Sequence, residues 1–136
     1  MNTYNVYDDE FKESSIYKNF ISENPSRGCL RIRAYAAYGA IPISGLKVVI
    51  STEFENNKII FFEGVTDESG IIERISLPAP VLSLDNLSAP SKRVYSIDAN
   101  YMDINKKYNI NVYEGICVTQ SISIVPNLNV GGFNGS

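Results

Sequence analysis

The chain contains two thiols, Cys29 and Cys117, and no histidine to act beside them. The usual general base, the usual activator of a nucleophile and the commonest zinc ligand are therefore all missing. A Ser-Lys or two-carboxylate mechanism survives that loss, but each needs paired groups tuned by a shared pocket, and no spacing here pairs them. The two cysteines are far from any metal-ligand spacing. The glycines form neither a phosphate-binding loop nor a dinucleotide fingerprint. Asp67-Glu68 lacks the alternating oxygen ligands of a calcium loop, and a solvated turn accounts for it. On these residues the chain is expected not to be an enzyme, and to take no metal and no cofactor.

What remains is recognition. Arg31, Arg33 and Tyr35 alternate along one segment, which puts two guanidinium groups and a ring on one side of a strand. They are the candidate contact patch, although an ordinary solvated sheet face predicts the same residue types. The nine tyrosines offer stacking platforms for sugar rings or anchors for a protein partner, against the commoner use in packing. With a net charge of -3 and a pI near 4.9, the chain lacks the broad positive field of a nucleic-acid or anionic-membrane binder. Neither partner is expected.

The first residues carry Asp8, Asp9 and Glu10 where a secretory signal needs a basic segment and then an apolar run, so no signal peptide is read here. No window reaches the roughly 18 apolar residues of a membrane helix. Each cysteine falls inside an expected strand, which favours two buried thiols acting as small apolar side chains. A disulfide between first and last strands is the alternative, and the lack of a signal argues against an oxidising compartment.

At 136 residues the chain suits one domain with one core. Phe11, Ile16, Phe20 and Ile21 have loosely helical spacing, and Asn24-Pro25 stops the helix they define. Residues 1–27 thus form a helical arm, which either covers part of the following domain or engages a partner. From Gly28 the period changes to two. Leu30, Ile32 and Ala34 alternate with Arg31, Arg33 and Tyr35 in a first strand, and a second covers residues 46–54. Glu55-Asn56-Asn57 turns the chain into a third strand at 58–63. Asp67 and Gly70 are the structural residues of the next turn: Asp67 bonds its own following backbone and Gly70 supplies a positive φ. A fourth strand, 71–77, is expected to end at Pro78, because proline cannot donate to a ladder. After a loop at 81–92, strands at 94–99, 107–113 and 117–125 complete the set. The expectation is an all-β, seven-stranded antiparallel Greek-key sandwich over residues 28–126, transthyretin-like or Ig-like, with a short N-terminal helix. Residues 127–136 have the composition of a flexible tail.

The segments Gly28-Cys29-Leu30-Arg31-Ile32-Arg33-Ala34, Ile41-Pro42-Ile43-Ser44-Gly45-Leu46-Lys47-Val48, Gly64-Val65-Thr66-Asp67-Glu68-Ser69-Gly70 and Ile75-Ser76-Leu77-Pro78 resemble, in that order, the carboxypeptidase regulatory-like, transthyretin-like modules. The Asn24-Pro25-Ser26-Arg27-Gly28 entry is similar to that of the N-terminal module of clostridial spore cortex-lytic enzymes. That resemblance implies a non-catalytic binding, targeting or regulatory module of a peptidoglycan-lytic or sporulation system, working in the cytoplasm of a sporulating cell or in the spore. Its partner would be a protein or cortex peptidoglycan. Related surface modules form a Lys-to-Asn crosslink, which is not expected where the first strand carries Arg31 and Arg33. A structural subunit of a phage-like tail or surface assembly, and a carbohydrate-binding module, are the alternatives. The sequence sets no oligomeric state.

Overall fold

The computed structural model describes residues 1–83 and 91–125. The expected tail at 127–136 and most of the expected loop at 81–92 lie outside these residues. Nine strands are present among the described residues: β1 (Asn2–Asn5), β2 (Ser26–Ala36), β3 (Ile41–Pro42), β4 (Lys47–Phe54), β5 (Asn57–Val65), β6 (Ile71–Ala79), β7 (Arg93–Tyr101), β8 (Ile104–Val112) and β9 (Cys117–Ser123). They form two sheets. The first has the order β1-β5-β4-β7-β8, and the second is centred on β2, which pairs with β6, β9 and the short β3.

The result is a mostly-β, two-sheet sandwich, but not an all-antiparallel one. β1 runs parallel to β5, and β9 runs parallel to β2 over seven registered residues, so both sheets are mixed. The two strands absent from the sequence reading are the four-residue β1 and the two-residue β3, too short to show a period of two. β6 also runs through Pro78 to Ala79. Pro78 is accommodated because β6 pairs with β2 on one side only among the described residues, and an edge strand can spare a donor.

The core follows from the alternation. Leu30, Ile32, Ile75 and Leu77 of the second sheet are buried against Val48, Ile50, Ile59 and Ile97 of the first. Burying side chains of this size stabilises by roughly 1.5–3 kcal/mol each. The β4–β5 hairpin closes through Glu55 and Asn56, both at positive φ (50° and 62°), the backbone that matches the twist of a two-residue hairpin. Thr66, although buried, is satisfied: its hydroxyl donates to the Ile43 carbonyl at 2.7 Å and accepts from the Leu46 amide at 3.0 Å.

The helical arm is two helices, α1 (Asp9–Lys12) and α2 (Ser15–Glu23). Ser14 caps α2 by accepting from the Tyr17 amide at 3.2 Å. At the other end the Asn24 side chain donates to the Phe20 carbonyl at 2.9 Å, and Pro25 follows. Phe20 is fully buried, with its ring 5.2 Å from both Phe54 and Phe61, and the Arg93 guanidinium lies 5.2 Å over it. The helix therefore covers the sandwich through Phe20, while β1 extends the first sheet.

Candidate functional site

The outer surface of the second sheet carries an unusual concentration of one residue type. Because Gly28, Leu30, Ile32 and Ala34 point inward, the intervening Arg27, Cys29, Arg31, Arg33 and Tyr35 of β2 share the outward side. The candidate patch Arg31, Arg33, Tyr35 is thus brought together on one face. The Arg33 guanidinium carbon stands 4.6 Å from the centre of the Tyr35 ring. Across β9, Arg31 is registered with Thr119 and Arg33 with Ser121, so hydroxyl-bearing residues flank the guanidinium groups.

On the β6 side the register slips between Leu30 and Ile32. Leu30 faces Ile75 and Ile32 faces Ile72, so Glu73 and Arg74 together oppose the single residue Arg31. This bulge leaves both charged side chains exposed. Glu73 takes Arg31, with Nε to Oε2 at 3.3 Å, while Arg74 donates to the Cys117 sulfur at 3.6 Å. Two residues beyond Arg74 on β6, the Ser76 hydroxyl accepts from Arg27 Nε at 2.7 Å. Four of the five arginines of the chain, Arg27, Arg31, Arg33 and Arg74, therefore belong to one sheet face. Among the described residues only Arg31 of the four makes an ion pair, and a surface pair of that kind is worth about 0–1 kcal/mol.

The cysteines differ from the sequence reading. Cys29 and Cys117 are directly registered neighbours on β2 and β9 and form a disulfide, with Cα atoms 4.4 Å apart. The correction has a simple cause: the parallel β2–β9 pairing, which no local pattern encodes, places the two side chains on the same outward side. Cys29 is buried and Cys117 exposed.

The turn residues lie where their chemistry requires. The Asp67 carboxylate accepts from the amides of Ser69 (2.9 Å) and Ile71 (3.0 Å), and Gly70 has φ +76°. No group of three or more His, Cys, Asp and Glu side chains suited to a metal occurs among the described residues.

Two other concave surfaces lie outside the arginine face. The outer side of the first sheet holds a shallow polar depression of about 340 Å³ lined by residues including Ser51, Glu53, Lys58, Asp98 and Lys107. Its charges are internally matched. Burial pulls the Asp98 carboxyl up, but the bonds from Asn105 (2.6 Å) and Lys107 (3.3 Å) outweigh it and hold the group below its ordinary range. An apolar pocket of about 430 Å³ opens at one end of the sandwich between Ile41, Ile43, Tyr101, Met102 and Ile124. Asp103 is the one charged residue in its lining.

No family model matches the chain. No curated protein matches it either. Among solved structures, a 5-hydroxyisourate hydrolase of Klebsiella pneumoniae aligns over 73% of this chain and 92% of its own, at 16% identity and a TM-score of 0.48. A mutant catechol 1,2-dioxygenase of Acinetobacter radioresistens aligns over 76% of this chain at 10% identity and a TM-score of 0.42, and the chain spans 53% of that enzyme's length. The catechol 1,2-dioxygenase of Pseudomonas arvilla C-1 aligns over 63% of this chain and 35% of its own, at 14% identity and a TM-score of 0.39. The strand topology keeps the coarse expectation of a two-sheet β-sandwich. The finer likeness to cortex-lytic enzymes gains no support from these matches. The expectation that the chain is not an enzyme is overturned: the structures it matches are enzymes.

Arg31, Arg33 and Tyr35 were legible from alternation, whereas Arg27 falls within the expected helical arm, although it continues the same register two residues before Cys29. Arg74 was not legible, because its outward place comes from the bulge it forms with Glu73 opposite Arg31, which breaks the alternation. No helix among the described residues is long and apolar enough to cross a membrane.

Proposed function

We propose that the chain is a binding module that recognises an anionic polymer, carboxylate-bearing peptidoglycan, through the outer face of its second sheet. The observation that carries this reading is the gathering of Arg27, Arg31, Arg33 and Arg74 on one face of a chain whose net charge is -3. Guanidinium groups suit carboxylates because their planar fork can donate two parallel hydrogen bonds. Tyr35 and the neighbouring Thr119 and Ser121 add a ring face and hydroxyl groups of the kind that meet sugars. Acidic charge elsewhere on the chain would keep non-specific polyanions at a distance. Spore cortex peptidoglycan is the first polymer to try, following the sequence resemblance. A disulfide persists where thiols are not kept reduced, which suits a wall-facing module better than a cytosolic one.

The test is co-sedimentation with purified peptidoglycan, beside a bovine albumin control. Retention should fall at least about tenfold in the double variant Arg31→Glu, Arg33→Glu, and should weaken as salt is raised, since exposed charges are screened. Retention no greater than that of albumin would remove the reading. Equal retention of duplex DNA would reduce it to charge alone, and retention by an acidic protein in place of the polymer would redirect it.

A further inference from the structure

The arginine face contains a group that polymer binding does not use. The Cys29–Cys117 disulfide lies on the outward side of the second sheet, in a small recess lined by Arg27, Arg74, Ser76 and Gly115. Its two sulfurs are not equivalent. Cys29, on the central strand β2, is 4% exposed, whereas Cys117 lies on β9, which pairs only with β2 among the described residues. Both sulfurs face the recess, but Cys117 is exposed and Cys29 is buried, so a reagent in solution meets Cys117 first. Attack on a disulfide sulfur expels the other sulfur, so access alone makes Cys117 the point of entry and Cys29 the leaving group.

The surrounding charge draws an anion to Cys117. β6 and β9 flank β2 on opposite sides, and Cys29 is registered with Ser76 on one and Cys117 on the other. Arg74, on β6, therefore crosses β2 at the level of Cys29 to donate to the Cys117 sulfur at 3.6 Å. Arg27 is held to Ser76, the residue registered with Cys29, by a 2.7 Å bond. A guanidinium group beside the attacked sulfur draws an anionic thiolate to Cys117. Neither Arg27 nor Arg74 has a carboxylate partner among the described residues, so both are free to attract an anion.

From this geometry we infer that Cys29–Cys117 is an exchangeable disulfide and that Cys117 is a modification site for a small anionic thiol. In the step, the incoming thiolate sulfur bonds to the Cys117 sulfur, the Cys29–Cys117 bond breaks, and its electron pair leaves on Cys29 as a thiolate. The thiol reagent supplies both the new sulfur and the electrons. The reverse step, attack by the Cys29 thiolate on the mixed disulfide, releases the reagent and restores the bond. The inference shares Arg27 and Arg74 with the proposed binding face, but its adduct is read on the cysteines with no polymer present.

The full chain, folded and oxidised, is treated with glutathione or with the cationic thiol cysteamine at equal thiolate concentration. Samples are quenched with acid, alkylated and mapped by peptide mass spectrometry. Glutathione should appear on Cys117, with the alkylating label on Cys29, and should react faster than cysteamine. Arg74→Gln should slow the glutathione reaction by roughly three- to fivefold, from loss of the charge that attracts the anion to Cys117, and should narrow the gap between the two thiols. Circular dichroism on Arg74→Gln separates this effect from unfolding, and Arg74→Lys, which retains the charge, should recover most of the rate. Free thiols in the chain as purified under air, adducts only after denaturation, adducts on Cys29, or equal rates for the two thiols would each overturn the inference.

Discussion

Tyr95 of β7 donates its phenolic proton to the carbonyl oxygen of Pro78 of β6 at 2.6 Å, a hydrogen bond that runs from one sheet to the other through the core. Tyr95 is fully buried and its ring packs edge-on against Phe61 at 5.7 Å. A buried hydroxyl needs such a partner, and the edge position of Pro78 leaves its carbonyl available. Tyr95→Phe keeps the ring and removes the donor. It is expected to lower stability by about 1–2 kcal/mol in urea unfolding. An unchanged midpoint and slope would show that the bond contributes nothing.

The same residue sets a prediction for alkaline pH. Burial pushes the Tyr95 phenol far above its ordinary value, against the opposing pull of Arg93 and Arg27. The folded chain thus holds this proton more tightly than the unfolded chain does. By linkage, the contribution is complete below the unfolded phenol pKa of about 10 and is progressively lost as pH rises beyond it. Urea midpoints measured upward from pH 9 should fall more steeply for the native chain than for Tyr95→Phe. Parallel curves would disprove a role for this group.

The parts of the fold that sequence reveals are those set by local alternation. Leu30-x-Ile32-x-Ala34 fixed both the buried and the solvent side of β2, and with it the positions of Arg31, Arg33 and Tyr35. Strand partnership is a different matter, because it depends on contacts between segments far apart in the chain. Cys29 and Cys117 are 88 residues apart, and only the parallel β2–β9 register makes them neighbours. Arg74 shows the same limit: its outward position beside Glu73 comes from a bulge opposite Arg31, which breaks the alternation that a sequence reading relies on. Phe20 was legible as part of a helix, yet its burial against Phe54 and Phe61 required the assembled sandwich.

Two turn glycines allow backbone strain to be separated from crowding. Gly45 and Gly70 have nearly the same left-handed backbone, φ +82° and +76°. A methyl group added at Gly45 meets nothing within 4 Å, whereas at Gly70 it would collide with the Ala34 carbonyl and come 3.0 Å from the Ile43 amide nitrogen. Those two groups are themselves hydrogen-bonded at 3.1 Å, at the point where the segment after β3 returns to β2. Neither can yield without breaking that contact. Gly45→Ala should therefore show only the left-handed penalty, about 1–2 kcal/mol, while Gly70→Ala should cost at least about 2 kcal/mol more, in the range of overpacked sites. Thermal unfolding of the two variants side by side measures the difference. Equal losses would mean that the Asp67 turn relaxes to make room, and that its register does not fix how β3 meets β2.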